Sequence, residues 1–151
     1  MKPFKFRLKA LLEYRKLQEE QFQLELACAL AEYNHSLEEM QRMVNTRDTA
    51  MDLLRQNQKH GLTIEEFKLF QNYLDKLNGD IQKQSHTVEK TRSVYHERQE
   101  LLLEAAKKSK IVEKFKEKRF IQYYAEQLQE EQKMIDEVGT QVFIRQKAGN
   151  S

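Results

Sequence analysis

Between residues 4 and 60 the chain has neither proline nor glycine; its one proline is Pro3, and its four glycines stand at 61, 79, 139 and 149. A β-sandwich or a βαβ repeat needs frequent turns, and those two residue types usually supply them. Their scarcity excludes both architectures. Tryptophan is absent, and aromatic residues make up 9% of the chain. Cys28 is the only cysteine, so no internal disulfide forms, which fits a reducing compartment. The longest apolar run, Leu26-Ala-Cys-Ala-Leu-Ala31, falls far short of the roughly 20 residues of a membrane span. The first residues alternate charged with apolar side chains, unlike the apolar stretch of a signal peptide. These features predict a cytoplasmic protein. Disorder is the competing reading of so polar a chain. It is opposed by a 39% hydrophobic fraction, a net charge of only +2, and a periodic placement of the apolar residues.

What the chain has in abundance is helix-forming residues: Gln, Glu, Lys, Leu, Ala and Arg. Positions 8, 12, 15, 19, 22, 26, 29, 33, 36, 40, 43, 47, 50 and 54 step alternately by four and three, and ten of those fourteen are apolar or aromatic. That strip stays on one helix face and seeks a partner helix. A second strip, Leu30, Leu37, Val44 and Met51, widens the apolar face. Gly61 suits the left-handed residue that closes a helix. Thr63-Ile-Glu-Glu66 has the spacing of a capping box at the start of the next. The rhythm then continues through Phe67, Phe70, Leu74, Leu77, Ile81, Gln84, Val88, Thr91, Tyr95, Arg98, Leu102 and Ala105. It loses phase near 105–121 and resumes at Ile121, Tyr124, Leu128, Glu131, Ile135, Val138 and Val142.

The pattern predicts an all-α fold: a long antiparallel two-helix coiled-coil hairpin in a single domain, residues 1–151. Its helices are placed at about 5–58 and 64–146, with a turn at about 59–63. Asn78-Gly79 is a turn signal, so a three-helix chain broken there is the alternative. The unbroken phase of Leu74, Leu77, Ile81 and Val88 favours a continuous helix. Residue i should face roughly residue 122 minus i, which leaves residues from about 116 onward as a helical overhang with an unpartnered apolar stripe.

No enzymatic constellation is present. His35, His60, His86 and His96 have no metal-ligand spacing, and no Gly-rich phosphate loop occurs. The sequence predicts no enzyme, no cofactor, no metal and no small-molecule substrate. Charge placement is more telling. Residues 1–16 carry six cations against Glu13, and residues 107–119 carry seven against Glu113 and Glu117. The pairing rule brings these tracts side by side. Lys110, Lys114 and Lys118 stack at i, i+4, i+8, an arrangement unfavourable to the helix itself. A wet basic face is one reading, and a docking surface for an anionic partner is the favoured one. Nucleic acid is not expected, since no aromatic platform or groove-reading motif accompanies the charge. An acidic patch follows at Glu126, Glu130, Glu131, Asp136 and Glu137. Near the turn, Leu69 and Tyr73 lie off the seam, as do Leu37 and Leu53, and methionines cluster opposite them. A thick local core or a second protein-binding patch would account for this.

The opening Phe4-x-Phe6-x-Leu8-x-x-Leu11-Leu12-x-Tyr14-Arg15 resembles the N-terminus of the FliJ family, and Glu131-Gln-Lys-Met-Ile-Asp-Glu137 resembles its C-terminal motif. The resemblance covers essentially the whole chain. It implies an antiparallel coiled coil similar to the stalk of rotary ATPases, working in the flagellar type III protein export apparatus. The implied partners are the hexameric flagellar export ATPase, a membrane export gate protein, and export chaperones. The implied location is the cytoplasm, peripherally at the inner face of the membrane. By the same resemblance, ATPase binding falls to Leu8, Leu11, Leu12, Tyr14, Arg15, Gln132, Lys133, Asp136 and Glu137, joined by the charge-based candidates Lys110, Lys114 and Lys118. The gate-docking face falls to Tyr73, Leu77 and Ile81, with Met40 and Met43 opposite. Two other readings stay open: a homodimeric coiled-coil scaffold, and the equivalent stalk of a virulence-type secretion system.

Overall fold

The computed structural model describes residues 2–149, and every regular element in it is helical. Helix α1 spans Lys9–His60 and α2 spans Ile64–Gly149. The chain divides into two compact units, one of Glu19–Ala105 and one of Met1–Gln18 with Ala106–Ser151. In each, an α1 segment packs antiparallel on an α2 segment.

The Glu19–Ala105 unit contains the reversal. Gly61 closes α1 with φ 89°, the one positive φ among the described residues. An L side chain would be strained there. Its amide donates to the Gln58 carbonyl at 3.4 Å. Three residues later α2 begins. The Glu66 amide donates to Thr63 Oγ1 at 3.2 Å, which satisfies one donor that a helix start leaves open, and the Thr63 carbonyl accepts the first bond of the helix from the Phe67 amide at 3.0 Å. Glu65 and Glu66 in the first turn of α2, and Lys59 and His60 in the last turn of α1, match the helix dipoles.

The seam of this unit follows the four-three strips. Every α1 strip position from 19 to 54 is buried or half-buried, as is every α2 position from Phe70 to Ala105, while Phe67 at the turn is exposed. The best-buried residues are small: Ala29, Ser36, Ala50 and Ala105, with Leu74 among them. The second strip, Leu30, Leu37 and Met51, lies at the exposed margin. Cross-helix pairs fix the register. Tyr33 stacks on Tyr95 with centroids 6.0 Å apart. Ser36 Oγ lies 2.9 Å from Thr91 Oγ1, and Gln84 Nε2 donates to the Ser36 carbonyl at 2.9 Å. Arg98 meets Glu25 at 3.3 Å. The partner numbers total 128 for Tyr33 and Tyr95, 127 for Ser36 and Thr91, and 123 for Glu25 and Arg98, close to the 122 of the pairing rule. Gly79 does not break α2, because Leu74 and Ile81 on either side of it keep one phase against α1.

In the other unit α1 starts at Lys9, later than residue 5. Residues 2–6 have no regular structure, and Lys9 donates to the Phe6 carbonyl at 3.2 Å to begin the helix. The physical reason is the Phe-x-Phe spacing. In an extended chain, side chains two apart share a face. Phe4 packs on Phe120 and Tyr123, each with centroids 5.4 Å away, and Phe6 packs on Phe115 at 6.1 Å. The Tyr123 hydroxyl donates to the Lys2 carbonyl. Below this clasp, Leu12, Ser109 and Val112 form the buried seam. Ser109 corrects the sequence reading. The four-three rhythm does not fail after Ala105 but continues through Ser109 and Val112, and a count of apolar residues passes over the serine. The resumed stripe from Ile121 is not a continuation of that seam. Ile121, Tyr124, Leu128, Ile135, Val138 and Val142 are all exposed, and every described residue from 128 onward is too.

Ser109→Leu should therefore lower stability by about 1–3 kcal/mol through overpacking. Ile121→Ala, on the exposed stripe, should stay within about 0.5 kcal/mol of the parent. Denaturant unfolding followed by circular dichroism measures both; equal effects would contradict the assigned seam.

Candidate functional site

The two cationic tracts meet within one unit. Lys16 Nζ lies 3.4 Å from a Glu113 carboxylate oxygen, joining residues 1–16 to 107–119. Both side chains are about half-exposed, so the pair is worth roughly 0.2–1 kcal/mol and mainly reports position. Lys9 pairs with Glu13 at 4.0 Å. Arg119 lies over the Phe115 ring, 5.2 Å from its centroid. Lys110, Lys114 and Lys118 are exposed on the same segment of α2.

The sequence-predicted residues of this end divide by burial. Leu12 is packed in the seam and Leu8 and Leu11 are half-buried, so they shape the platform. Tyr14 is exposed, and Arg15 lies over its ring while donating to Gln18 Oε1 at 3.4 Å. Gln132 donates to Asp136 Oδ1 at 3.1 Å on the exposed part of α2, where Lys133 and Glu137 are also exposed. Two shallow grooves flank Phe4. One is lined by Lys5, Arg7, Phe115, Arg119 and Tyr123. The other is lined by Leu12, Lys16, Lys116, Phe120 and Ile121. Both have apolar floors; the rim of the first is mainly basic, with Glu126 among its cations, and that of the second sets Glu113 and Glu117 against its two lysines. Their aromatic members Phe115, Phe120 and Tyr123 were not among the expected docking residues, although the Phe4-x-Phe6 alternation signals the strand-like segment that covers them.

In the Glu19–Ala105 unit, Met40, Met43, Leu77 and Ile81 are half-buried, whereas Tyr73 is 46% and Leu69 70% exposed. Met40 and Ile81 line a groove with Arg47, Asp75 and Gly79. Arg47 Nε is buried 3.5 Å from Asp48 Oδ1, too poorly aligned for a hydrogen bond. The structure thus brings Met40 and Ile81 together and sets Tyr73 out toward solvent.

Among the described residues, no cluster of His, Cys, Asp or Glu could hold a metal ion, and no helix is long and apolar enough to cross a membrane.

The family model of the flagellar FliJ protein matches residues 4–148. The chain belongs to the FliJ family. A relative, the flagellar FliJ protein of Bacillus subtilis (strain 168), is 27% identical over 150 residues, covering 95% of this chain and 97% of its own. No solved structure matches the chain. Membership makes the chain a component of flagellar protein export, and the all-helical hairpin is the fold on which its FliJ surfaces are mounted.

The aromatic clasp generates a test. Phe6→Ala removes the Phe115 contact and should speed proteolysis and amide exchange of residues 2–8 without changing protection of the Glu19–Ala105 unit. Unchanged exchange in residues 2–8 would show that the clasp does not hold the segment.

Proposed function

We propose that this FliJ-family chain is a non-enzymatic stalk of the cytoplasmic export machinery, seated in the ring of the hexameric export ATPase and touching the membrane gate peripherally. The observation that carries the reading is the meeting of the two basic tracts beside Leu12, next to an exposed helical segment. A basic surface suits a ring lined by acids, and oriented charge gives docking direction and rate more than raw affinity. The exposed Tyr14, Lys110, Lys114, Lys118, Lys133 and Glu137 supply contacts, while the buried leucines hold the surface in shape. Stimulation of ATP turnover then comes from ordering six subunits around one rod, with no chemistry on the rod itself. The apolar Leu69–Tyr73 ridge, with Leu77 and Ile81 beneath it, is the proposed gate face, and export chaperones are the further partners.

The test adds this protein to the cognate ATPase. The expected result is faster ATP turnover and a larger fraction of assembled rings; no change in either defeats the stalk reading. Reversing Lys110, Lys114 and Lys118 to Glu should weaken binding about tenfold or more at low salt. That difference should shrink as the screening length falls from about 10 Å at 0.1 M to about 3 Å at 1 M salt. Equal salt dependence of parent and variant would remove the basic surface from the mechanism.

A further inference from the structure

Between residues 107 and 121 the outward side of α2 combines positive charge with exposed aliphatic side chains and holds no acid. Lys107, Ile111, Lys114, Lys118 and Ile121 step by four and three, so they share one side of the helix. Lys107 stands two residues from the buried Ser109 and Lys114 two from the buried Val112, about 200° around the helix in each case. The face they form therefore looks away from α1, and Lys110 flanks it. All four lysines are exposed, Ile111 is 68% exposed and Ile121 66%. Among the described residues none of the four lysines has an ion-pair partner. The acids of this stretch are turned elsewhere. Glu113 and Glu117 line the groove beside Leu12, where Glu113 meets Lys16 at 3.4 Å, and Glu126 lines the groove beside Phe4 and Phe6.

We propose that this face binds directly to an anionic lipid surface and lies flat along it for about 21 Å of helix. Two features favour lipid over an acidic protein. A partner helix that filled the four-three stripe would have to enclose Lys114 and Lys118 in its seam, and charges held there are costly. A lipid surface does not enclose them. The apolar lysine stems lie beside Ile111 and Ile121 at the acyl boundary, while the ammonium groups reach the headgroup phosphates. Secondly, every cation of the face is a lysine. A lysine is a compact charge that suits a diffuse layer of phosphates, whereas an arginine fork picks out a single carboxylate. The one arginine of the stretch, Arg119, lies over the Phe115 ring instead. Lys110, Lys114 and Lys118 repel one another along α2, and the negative potential of an anionic leaflet offsets that repulsion. The stalk reading uses three of the same lysines, and a ring and a membrane cannot hold them at once. Lipid binding is a property of the chain alone and does not rest on that reading.

The experiment mixes the full chain, without ATPase, with vesicles of phosphatidylcholine alone or with about one-third phosphatidylglycerol. Flotation should carry the chain up with the anionic vesicles and leave it behind with the neutral ones. No flotation with the anionic vesicles overturns the proposal and leaves the stalk reading untouched. Lys107→Gln, Lys110→Gln, Lys114→Gln and Lys118→Gln together should weaken vesicle binding about tenfold or more at unchanged helicity. Lys68→Gln, Lys76→Gln, Lys83→Gln and Lys90→Gln remove the same charge from exposed positions of the Glu19–Ala105 unit and should weaken it by no more than about twofold. Equal losses overturn the assignment of the face. The chain has no tryptophan, so Ile111→Trp supplies a single reporter. Its emission should shift to the blue on anionic vesicles and stay unshifted with polyglutamate. Emission unmoved by the vesicles means that the face does not meet the acyl boundary. Complete displacement of the chain from vesicles by polyglutamate of equal total charge means a site for any acidic partner. Either result overturns the lipid assignment.

Discussion

The seam between α1 and α2 is built where side chains are small. Ala29, Ser36, Ala50, Ala105 and Ser109 are each at most 5% exposed, and the larger Leu12, Leu74 and Val112 interleave with them. Two helices in contact can each bury one stripe, and small residues on that stripe bring the backbones close enough for the flanking side chains to lose water as well. The cost of the arrangement is visible in what it leaves out. Among the described residues no large side chain is completely enclosed, and many apolar residues stay in water. Register therefore rests on a few directional contacts. Ser36, Thr91 and Gln84 form a hydrogen-bonded layer that would be left unsatisfied by a one-turn slip, and the stacked Tyr33 and Tyr95 would be parted by it.

The same geometry separates what the fold uses from what it offers. On α2 the surface through Ser109 and Val112 is consumed by α1, whereas the stripe from Ile121 lies around the helix from it. Had the stripe kept the seam's phase, it would read as core awaiting more of α1. Its rotation makes it a surface for something else. The lysines at 110, 114 and 118 lie outside the seam as well, so a short length of α2 carries exposed positive charge and its packing side at once.

Much of this was legible in the sequence because helices advertise themselves by period. The four-three strip located α1, the Gly61–Thr63 chemistry located the turn, and the unbroken phase across Gly79 gave a continuous α2. What escaped was polar or extended. Ser36 sits in the strip as an apparent exception and Ser109 was not counted in it, yet both are buried, Ser36 because its hydroxyl is hydrogen-bonded to Thr91 and to its own helix. The start of α1 was misplaced because charged-apolar alternation over residues 2–8 suits an extended clasp, which a search for helical period cannot register. Among the leucines of the first turns, a shared spacing could not say that Leu12 would be enclosed while Tyr14 beside it stays in water.

That division bears on how the two terminal motifs of the family should be understood. In the N-terminal motif, Phe4 and Phe6 lie on the rings of α2, Leu12 is in the seam, and Leu8 and Leu11 are half-covered; only Tyr14 is clearly presented outward. Most of that motif is explained by folding. The C-terminal motif, Glu131 to Glu137, is different: each of its residues is exposed, and its side-chain hydrogen bonds, Gln132 to Asp136 and Thr140 to the Asp136 carbonyl, run along the helix itself. An isolated helix of mixed polarity gains little from such residues. Packing requirements therefore account for the first motif and leave the second without an intramolecular reason.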